Sequence, residues 1–135
     1  MHDWSPYLKP ADYEYLNQYI ENVKNGVPNS KMILLAGQAR TGKTTLMNDI
    51  QSYLGDKLCG PLPLSCEFIF QENIKRLGFL HGLDDYSGCT DRTIQAIINL
   101  IKYKQSFIAA VNDQDKVSFE LFDHCYVIEM EHVFE

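Results

Sequence analysis

The sequence predicts one α/β domain, residues 1–135, in which helices cover both faces of a mainly parallel β-sheet. Two observations support this prediction. Short apolar runs, typical of buried strands, alternate with segments whose apolar residues recur every three or four positions, as on one face of a helix. The length of 135 residues suits one domain, and neither a repeat nor a linker interrupts the chain.

The composition limits the classes of function. With 18 acidic and 12 basic residues, the formal net charge is -6, which argues against a broad basic surface for nucleic acid. The longest apolar run, residues 32–36, is far shorter than the ~20 residues that span a bilayer, and the N-terminus lacks a secretory pattern. We therefore expect an intracellular chain with no membrane partner. The cysteines are spread without a C-x-x-C pair, which favours reduced thiols over a zinc site: Cys59, Cys66, Cys89 and Cys125.

The first predicted element is a helix over residues 10–25. Pro10 suits its first turn, and Gly26 suits the position just beyond its end. Its apolar residues lie at spacings of three and four: Tyr13, Leu16, Ile20 and Val23. A buried strand follows at residues 31–36, and then a helix over residues 43–54, whose apolar residues recur at every fourth position.

The second half of the chain repeats this alternation. Apolar runs predict strands at residues 77–83, 107–111 and 125–130. Between the first two of these strands, residues 90–101 have the period of a helix, with Thr90 or Asp91 as its N-cap. Strands that are separated by helices favour a parallel, three-layer arrangement.

The most specific motif is Gly37-Gln-Ala-Arg-Thr-Gly42-Lys43-Thr44, a full match to the phosphate-binding pattern G-x-x-x-x-G-K-[ST]. The two glycines let the backbone curl so that its amides point at phosphate oxygens, and the following helix adds the positive end of its dipole. Lys43 is expected to reach the β- and γ-phosphates and Thr44 to hold Mg²⁺, so a nucleoside triphosphate and Mg²⁺ are the predicted ligands, with ATP as the nucleotide that the family resemblance below implies. The predicted nucleotide-binding residues are Gly37, Gln38, Ala39, Arg40, Thr41, Gly42, Lys43, Thr44 and Thr45.

Polar residues also follow two later strands. Asp84 and Asp85 come directly after the strand at residues 77–83, where one carboxylate would bind Mg²⁺ and the other would polarise the attacking water. Which aspartate takes which role stays open, and a solvated acidic turn is the alternative. Asn112 follows the next strand and suits a hydrogen bond to the γ-phosphate and the lytic water, although asparagine is also a common turn former. Together with Lys43, these residues form the predicted catalytic set.

The order and spacing of these elements resemble the superfamily 3 helicases of small DNA viruses, such as the large tumour antigens of polyomaviruses and the helicases of papillomaviruses and parvoviruses. The resemblance begins at Trp4 and the first helix, runs through residues 27–46, and continues in residues 62–64, 77–85 and 107–112. It implies an AAA+-like P-loop NTPase, a three-layer sandwich with a mainly parallel five-stranded sheet. It also implies a hexameric ring that couples ATP hydrolysis to DNA unwinding in viral replication, in the host nucleus.

The chain departs from that family at the position of the arginine finger. Rings of this kind use an arginine of the neighbouring subunit just before the last strand, where this chain has His124. The arginines of the chain are few: Arg40, Arg76 and Arg92. Because of this scarcity, Arg92 acting on a neighbouring subunit is a hypothesis, and a solvated surface arginine is the alternative.

The DNA-binding hairpin of the family is also reduced here. Only residues 102–106 separate the predicted helix from the next strand, and in them Lys102 and Lys104 are the candidate contacts to single- or double-stranded DNA. A solvated loop is the alternative. We expect no lid subdomain in this chain, so ATP hydrolysis and DNA unwinding are separate predictions.

Two further functions are compatible with the sequence. Residues 85–88 match the D-x-x-G pattern of GTPases, and Asn112-Asp-Gln-Asp115 resembles their guanine-reading N-K-x-D, although Asp113 replaces the lysine. The chain is alternatively a truncated, non-catalytic regulator that keeps the helicase fold. A small phosphotransferase is disfavoured, because such enzymes clamp the transferred phosphate with several arginines.

Overall fold

In the computed structural model, residues 1–60, 80–83, 86 and 90–132 are described. Their elements in chain order are α1 (Pro10–Lys24), β1 (Met32–Ala36), α2 (Lys43–Leu54), β2 (Leu80–Leu83), α3 (Asp91–Lys102), β3 (Ser106–Val111), α4 (Phe119–Phe122) and β4 (Cys125–Glu129). The predicted α/β class is thereby confirmed. Predictions for the following positions lie outside the described residues: 62–64, Cys66, Arg76, 77–79, Asp84, Asp85, 87–88 and Cys89.

The strands form one parallel sheet in the order β2-β3-β1-β4. Within the described residues this sheet has four strands rather than the expected five. The number five came from the family resemblance, whereas the apolar runs of the sequence supply only the observed strands. All residues of β1 are buried, because strands flank both of its edges and helices cover both of its faces. Since the strands are parallel, their carboxyl ends share one edge of the sheet.

Side chains of the sheet alternate between two hydrophobic cores. On one face, Ile33 and Leu35 of β1 pack in a cluster with apolar residues of α1, α2 and the N-terminal segment. On the other face, Met32 and Leu34 pack with α3 and with Leu121 of α4. The sheet therefore lies between two helical layers, as the predicted three-layer arrangement requires.

The residues before α1 are joined to α2 and to the segment after β4. The buried indole of Trp4 donates to Asp49 Oδ2 at 2.8 Å, and the His2 backbone N–H donates to the same oxygen at 2.9 Å. Tyr7 packs against His132 with ring centroids 5.0 Å apart. These contacts attach the N-terminal segment to the helix that follows the predicted phosphate loop.

A buried polar network joins α1 to β3. The Tyr19 hydroxyl accepts from the Phe107 N–H at 3.1 Å and donates to the Phe107 carbonyl at 3.2 Å. Beside it, Asn29 Nδ2 donates to Ser106 Oγ at 2.9 Å, and Asn29 Oδ1 accepts from Asn22 Nδ2 at 2.9 Å. Side chains of α1 and of the loop after it therefore bond the first residues of β3. Burial raises the pKa of Tyr19 well above its ordinary value.

Both ends of α3 are capped. The Thr90 hydroxyl accepts from the Thr93 N–H at 3.3 Å, so Thr90 is the N-cap of the two candidates. At the other end, the N–H groups of Lys104 and Gln105 bond carbonyls of the last turn in a Schellman motif. Lys104 has φ +64°, in the left-handed region that glycine usually occupies at this position. The turn that follows α3 is therefore strained.

Two of the four cysteines lie in the described part of the chain. Cys59 and Cys125 are free and buried, and burial raises the pKa of each to about 12. Of the helices in the described part of the chain, none is both long enough and apolar enough to cross a bilayer.

Candidate nucleotide-binding site

The predicted phosphate-binding residues form the loop between β1 and α2. The loop leaves the carboxyl end of β1, which lies between β3 and β4. Gly42 has φ +87° and is the N-cap of α2. Because glycine has no side chain that could bond the first N–H groups of α2, these groups can bind a ligand. An anion is the ligand that such groups and the helix dipole favour.

Gly37 is required for close packing rather than for an unusual backbone angle. A Cβ atom at Gly37 would lie 2.3 Å from the Met130 carbonyl oxygen. The two segments are held together because the Met130 N–H donates to the Ala36 carbonyl at 2.7 Å. The sequence suggested that both glycines serve the curl of the loop. In the structure only Gly42 has a positive φ, and Gly37 makes room for the chain after β4.

The Lys43 ammonium is folded back onto the loop. Its Nζ donates to the Gly37 carbonyl, to the Gln38 carbonyl at 2.7 Å and to Thr41 Oγ1 at 3.3 Å. These contacts match the three donors of a lysine. The Thr41 hydroxyl in turn donates to the Gln38 carbonyl at 2.8 Å. Lys43 and Thr41 are both buried, and burial lowers the pKa of Lys43. The loop is thus closed around a buried positive charge.

The remaining motif residues are accessible to solvent. Their side chains are exposed: Gln38, Ala39, Arg40, Thr44 and Thr45. Arg40 has φ +66°, in the left-handed region that is uncommon for residues other than glycine. Thr44 stands in the first turn of α2, and its hydroxyl is an oxygen donor of the kind that Mg²⁺ takes.

A cavity of about 370 Å³ opens beside the loop at the carboxyl edge of the sheet. Its volume lies in the range of small-molecule sites. The wall combines residues that follow three neighbouring strands: Ala36, Gly37, Gln38 and Thr41 from β1 and the loop, Asn112, Asp113 and Gln114 after β3, and Glu129, Met130 and Glu131 at the end of β4. Asn112 lies beside the loop because Val111, which precedes it, pairs with Ala36. The structure therefore brings the predicted amide and the first residues of the motif to one cavity.

The contribution of β4 to this cavity was not predicted. Glu129 Oε1 accepts from Gln114 Nε2 at 3.2 Å, and Glu129 Oε2 lies 3.5 Å from Lys9 Nζ. With Asp113 and Glu131, Glu129 places three carboxylates on the cavity wall. The signal was present in the sequence, because acidic residues stand at and just beyond the end of the last strand, and the ends of parallel strands meet at one edge.

The predicted carboxylate ligands of Mg²⁺ lie outside the described residues. Asp84 and Asp85 would follow Leu83, which pairs with Ala109 of β3. Within the described ranges, no group of three or more His, Cys, Asp or Glu side chains is arranged to hold a metal ion. The donor set that the sequence proposes, one threonine hydroxyl with aspartate oxygens, nevertheless fits the preference of Mg²⁺ for oxygen ligands.

The candidate DNA-binding residues lie far from the cavity. Lys102 and Lys104 are exposed at the end of α3, just before β3 begins, whereas Asn112 follows the other end of β3. The six residues of β3 separate them by about 20 Å. His124 likewise precedes β4, at the amino edge of the sheet, whereas Arg92 is exposed in the first turn of α3.

Comparison with solved structures identifies the fold as that of AAA+ P-loop ATPases. The RuvB Holliday junction branch migration motor of Thermotoga maritima matches 93% of this chain with a TM-score of 0.64 and 18% identity. A structure of the HORMA:CdnC:Trip13 complex of E. coli MS115-1 matches 90% of the chain with a TM-score of 0.60 and 14% identity. PCH-2 of C. elegans matches 95% with a TM-score of 0.58 and 15% identity.

These similarities establish the fold and no finer assignment. The chain spans 45%, 58% and 45% of the lengths of those three proteins. No protein-family model matches the sequence, and no curated protein gives a significant match. The predicted AAA+-like fold is therefore confirmed, whereas the narrower resemblance to viral helicases stays a prediction.

Proposed function

We propose that this chain is the nucleotide-binding core of an ATPase, which binds ATP with Mg²⁺ and hydrolyses it. The observation that carries the proposal is the geometry of Lys43, whose ammonium is buried inside a complete phosphate-binding loop at the carboxyl end of a central parallel strand. A buried ammonium at the start of a helix without a capping side chain suits a polyanionic ligand. The AAA+ fold supports the same function.

In the proposed bound state, Lys43 exchanges at least one bond to a loop carbonyl for a bond to a phosphate oxygen. The exchange is favourable because an ammonium bonds an anionic oxygen more strongly than a neutral carbonyl. The N–H groups at the start of α2, which no capping side chain bonds, bind the phosphates in the same state. As charge develops on the transferred phosphoryl oxygens, Lys43 and these N–H groups stabilise the transition state.

The cavity beside the loop supplies the remaining groups of the proposed mechanism. In this mechanism the amide of Asn112, which follows β3 on the cavity wall, donates to the terminal phosphate and orients the lytic water. Thr44 and Asp84 or Asp85 would hold Mg²⁺, which neutralises phosphate charge when it is bound. The acidic wall formed by Asp113, Glu129 and Glu131 increases the need for such cations, because it disfavours a naked triphosphate.

At a finer level, we assign the chain to a superfamily 3 DNA helicase that acts as a ring in viral DNA replication within the host nucleus. The order of the motifs supports this assignment, together with the exposed Lys102 and Lys104 at the edge of the sheet opposite the loop. In this arrangement, DNA and nucleotide would bind at separate edges of one domain. The acidic net charge of -6 restricts the DNA contact to such local basic positions.

The test is nucleotide binding and Mg²⁺-dependent hydrolysis by the full chain, with ATP and GTP and at several protein concentrations. We expect that the rate of ATP hydrolysis per chain rises with protein concentration. In Lys43→Ala this rate should fall by orders of magnitude. Lys31→Ala is the matched control, because it removes an exposed lysine at the opposite end of β1. Unchanged hydrolysis in Lys43→Ala would contradict the site. A preference for GTP would favour the GTPase, and binding without turnover would favour the non-catalytic regulator.

DNA binding requires a separate measurement. Fluorescence anisotropy with single- and double-stranded oligonucleotides should show salt-dependent binding that the double variant Lys102→Ala, Lys104→Ala weakens. The control is nucleotide binding by the same variant, since the two lysines lie about 20 Å from the cavity. Equal DNA affinity in the variant would remove these lysines from the proposal without affecting the ATPase assignment.

A further inference from the structure

Arg40 occupies a backbone position that costs free energy. Its φ is +66°, and for residues with a side chain this left-handed conformation is disfavoured. Gly42, two residues later, has φ +87°, which glycine adopts without strain because it has no Cβ atom. The loop therefore contains a position that glycine would occupy without strain, and an arginine occupies it instead.

The conformation itself has a reason in the loop. Successive residues with right- and left-handed angles turn neighbouring backbone N–H groups toward a common point, and such concave arrangements bind anions. A left-handed residue at this point of the loop is therefore expected whatever its side chain. The anion-binding backbone accounts for the angle of Arg40 but leaves the choice of an arginine unexplained.

The charges around the site supply that explanation. The cavity wall carries Asp113, Glu129 and Glu131, and Lys9 lies with Glu129 at 3.5 Å. The Lys43 ammonium donates its hydrogen bonds to atoms of the loop. Arg40 is exposed on the same loop, and within the described residues its guanidinium takes part in no hydrogen bond or ion pair. Of the two cations in the loop, Lys43 is therefore hydrogen-bonded to loop atoms and Arg40 is not.

We infer that Arg40 binds the phosphate chain of the nucleotide as a second side-chain cation beside Lys43. The inference rests on the proposed nucleotide site. The sequence placed Arg40 in that site only as one residue of the loop, whereas the inference gives its side chain a charge-bearing role that the phosphate-binding pattern does not specify. A guanidinium bonds phosphate through a planar fork of donors, which a lysine cannot reproduce. Ligands with more phosphate charge, such as a nucleoside triphosphate or inorganic tripolyphosphate, should depend on Arg40 more than a monophosphate does.

The test compares Arg40→Gly, Arg40→Gln and Arg40→Lys in the full chain. Both Arg40→Gly and Arg40→Gln remove the positive charge. Arg40→Gly also relieves the backbone strain, whereas Arg40→Gln keeps it. Affinity is measured with a fluorescent ATP analogue, a fluorescent AMP analogue and tripolyphosphate as competitor, and stability by thermal unfolding without ligand. Lys31→Gln is the control for loss of one positive charge at the far end of β1.

We expect Arg40→Gly and Arg40→Gln to weaken binding of the triphosphate by about tenfold, the magnitude of one hydrogen bond to a charged group. Binding of the monophosphate should change less, and Arg40→Lys should keep part of the affinity for the triphosphate. Arg40→Gly should unfold at a higher temperature than wild type, so that stability and affinity change in opposite directions. A merely structural role would move both in the same direction.

The outcomes separate this inference from the function on which it rests. If wild type binds neither ATP nor tripolyphosphate, the proposed function and this inference are both wrong. If wild type binds both ligands and loses them in Lys43→Ala, while Arg40→Gly and Arg40→Gln bind as wild type does, only this inference is wrong. Weaker binding in Arg40→Gly alone would assign the effect to the backbone angle and overturn the role of the charge.

Discussion

A Tyr19→Phe substitution removes one oxygen atom and tests how α1 is joined to the sheet. The Tyr19 hydroxyl bonds both the N–H and the carbonyl of Phe107, at 3.1 Å and 3.2 Å, in the buried interior. Phenylalanine keeps the aromatic ring, so the apolar packing of residue 19 is preserved. The substitution instead leaves the Phe107 N–H without the oxygen that accepts from it.

The expected loss follows from that unsatisfied donor. Leaving a buried polar group without its partner costs about 1–3 kcal/mol, so we expect the free energy of unfolding to fall by about 2 kcal/mol. An unfolding entropy of about 2.1 cal/mol/K per residue gives about 0.28 kcal/mol/K for 135 residues, and hence a Tm lower by about 7 °C. Urea denaturation should report the same loss with an unchanged m-value. Tyr15→Phe is the control, because the Tyr15 ring stacks on Tyr126 at 3.7 Å and this contact survives the change.

The pH dependence of this loss provides a second readout. Burial raises the pKa of Tyr19 above the ordinary value near 10, so above about pH 10 the unfolded chain ionises while the folded chain stays neutral. The free energy of unfolding of wild type therefore falls by about 1.4 kcal/mol per pH unit above that value. The Tyr19→Phe protein lacks this hydroxyl, so it does not undergo this loss. The difference in the free energy of unfolding between wild type and Tyr19→Phe should therefore decrease as the pH rises. A Tyr19→Phe protein as stable as Tyr15→Phe at pH 7, with a gap that stays constant up to pH 11, would refute this reasoning.

Three further predictions concern the turn after α3 and the buried thiols. Lys104→Gly should raise the free energy of unfolding by about 1 kcal/mol, because φ +64° is strained for lysine and free for glycine. Thermal unfolding checks this, with Lys104→Ala as the control that keeps the strain; an equal gain in both variants would contradict it. Cys59 and Cys125, whose pKa burial raises to about 12, should resist an aromatic disulfide reagent near pH 8 in the folded protein and react in concentrated urea. Since only the unfolded thiols ionise between about pH 9 and 12, these groups should lower stability as the pH rises through that window. Mass spectrometry of the labelled peptides gives the sites, and rapid labelling of Cys125 in the folded chain would show that the thiol is accessible.

Local patterns in the sequence predicted the elements well. The helix expected over residues 10–25 is observed at Pro10–Lys24, and the helix expected over residues 43–54 at Lys43–Leu54. Both are amphipathic, and their boundaries carry residues that begin or end helices. β1 was also predictable, because a central parallel strand is apolar on both faces.

Contacts between distant residues were not predictable in the same way. Tyr19 and Phe107 are 88 positions apart, and the spacing that predicts α1 neither includes Tyr19 nor specifies a partner for its hydroxyl. The same holds for Gly37, where glycine is needed because the Met130 carbonyl lies close to it at the end of the neighbouring strand β4. Periodicity reports which face of an element is buried, whereas the partner depends on strand order, which the sequence patterns left undetermined.

Strand order also bears on the choice between an ATPase and a GTPase. The segment from Asn112 to Asp115 resembles a guanine-reading motif, but Val111 pairs directly with Ala36, so Asn112 stands beside the first residue of the phosphate loop. In a nucleotide, the ribose and further phosphates separate the base from the terminal phosphate, and a side chain next to the loop therefore suits a phosphate better than a base. Asp113 has a structural task as well, since its Oδ1 accepts from the Asp115 N–H at 3.0 Å and caps a 3₁₀ turn. The cap gives a local reason for an aspartate at position 113, and the position of Asn112 agrees with its proposed role at the phosphate end of the nucleotide.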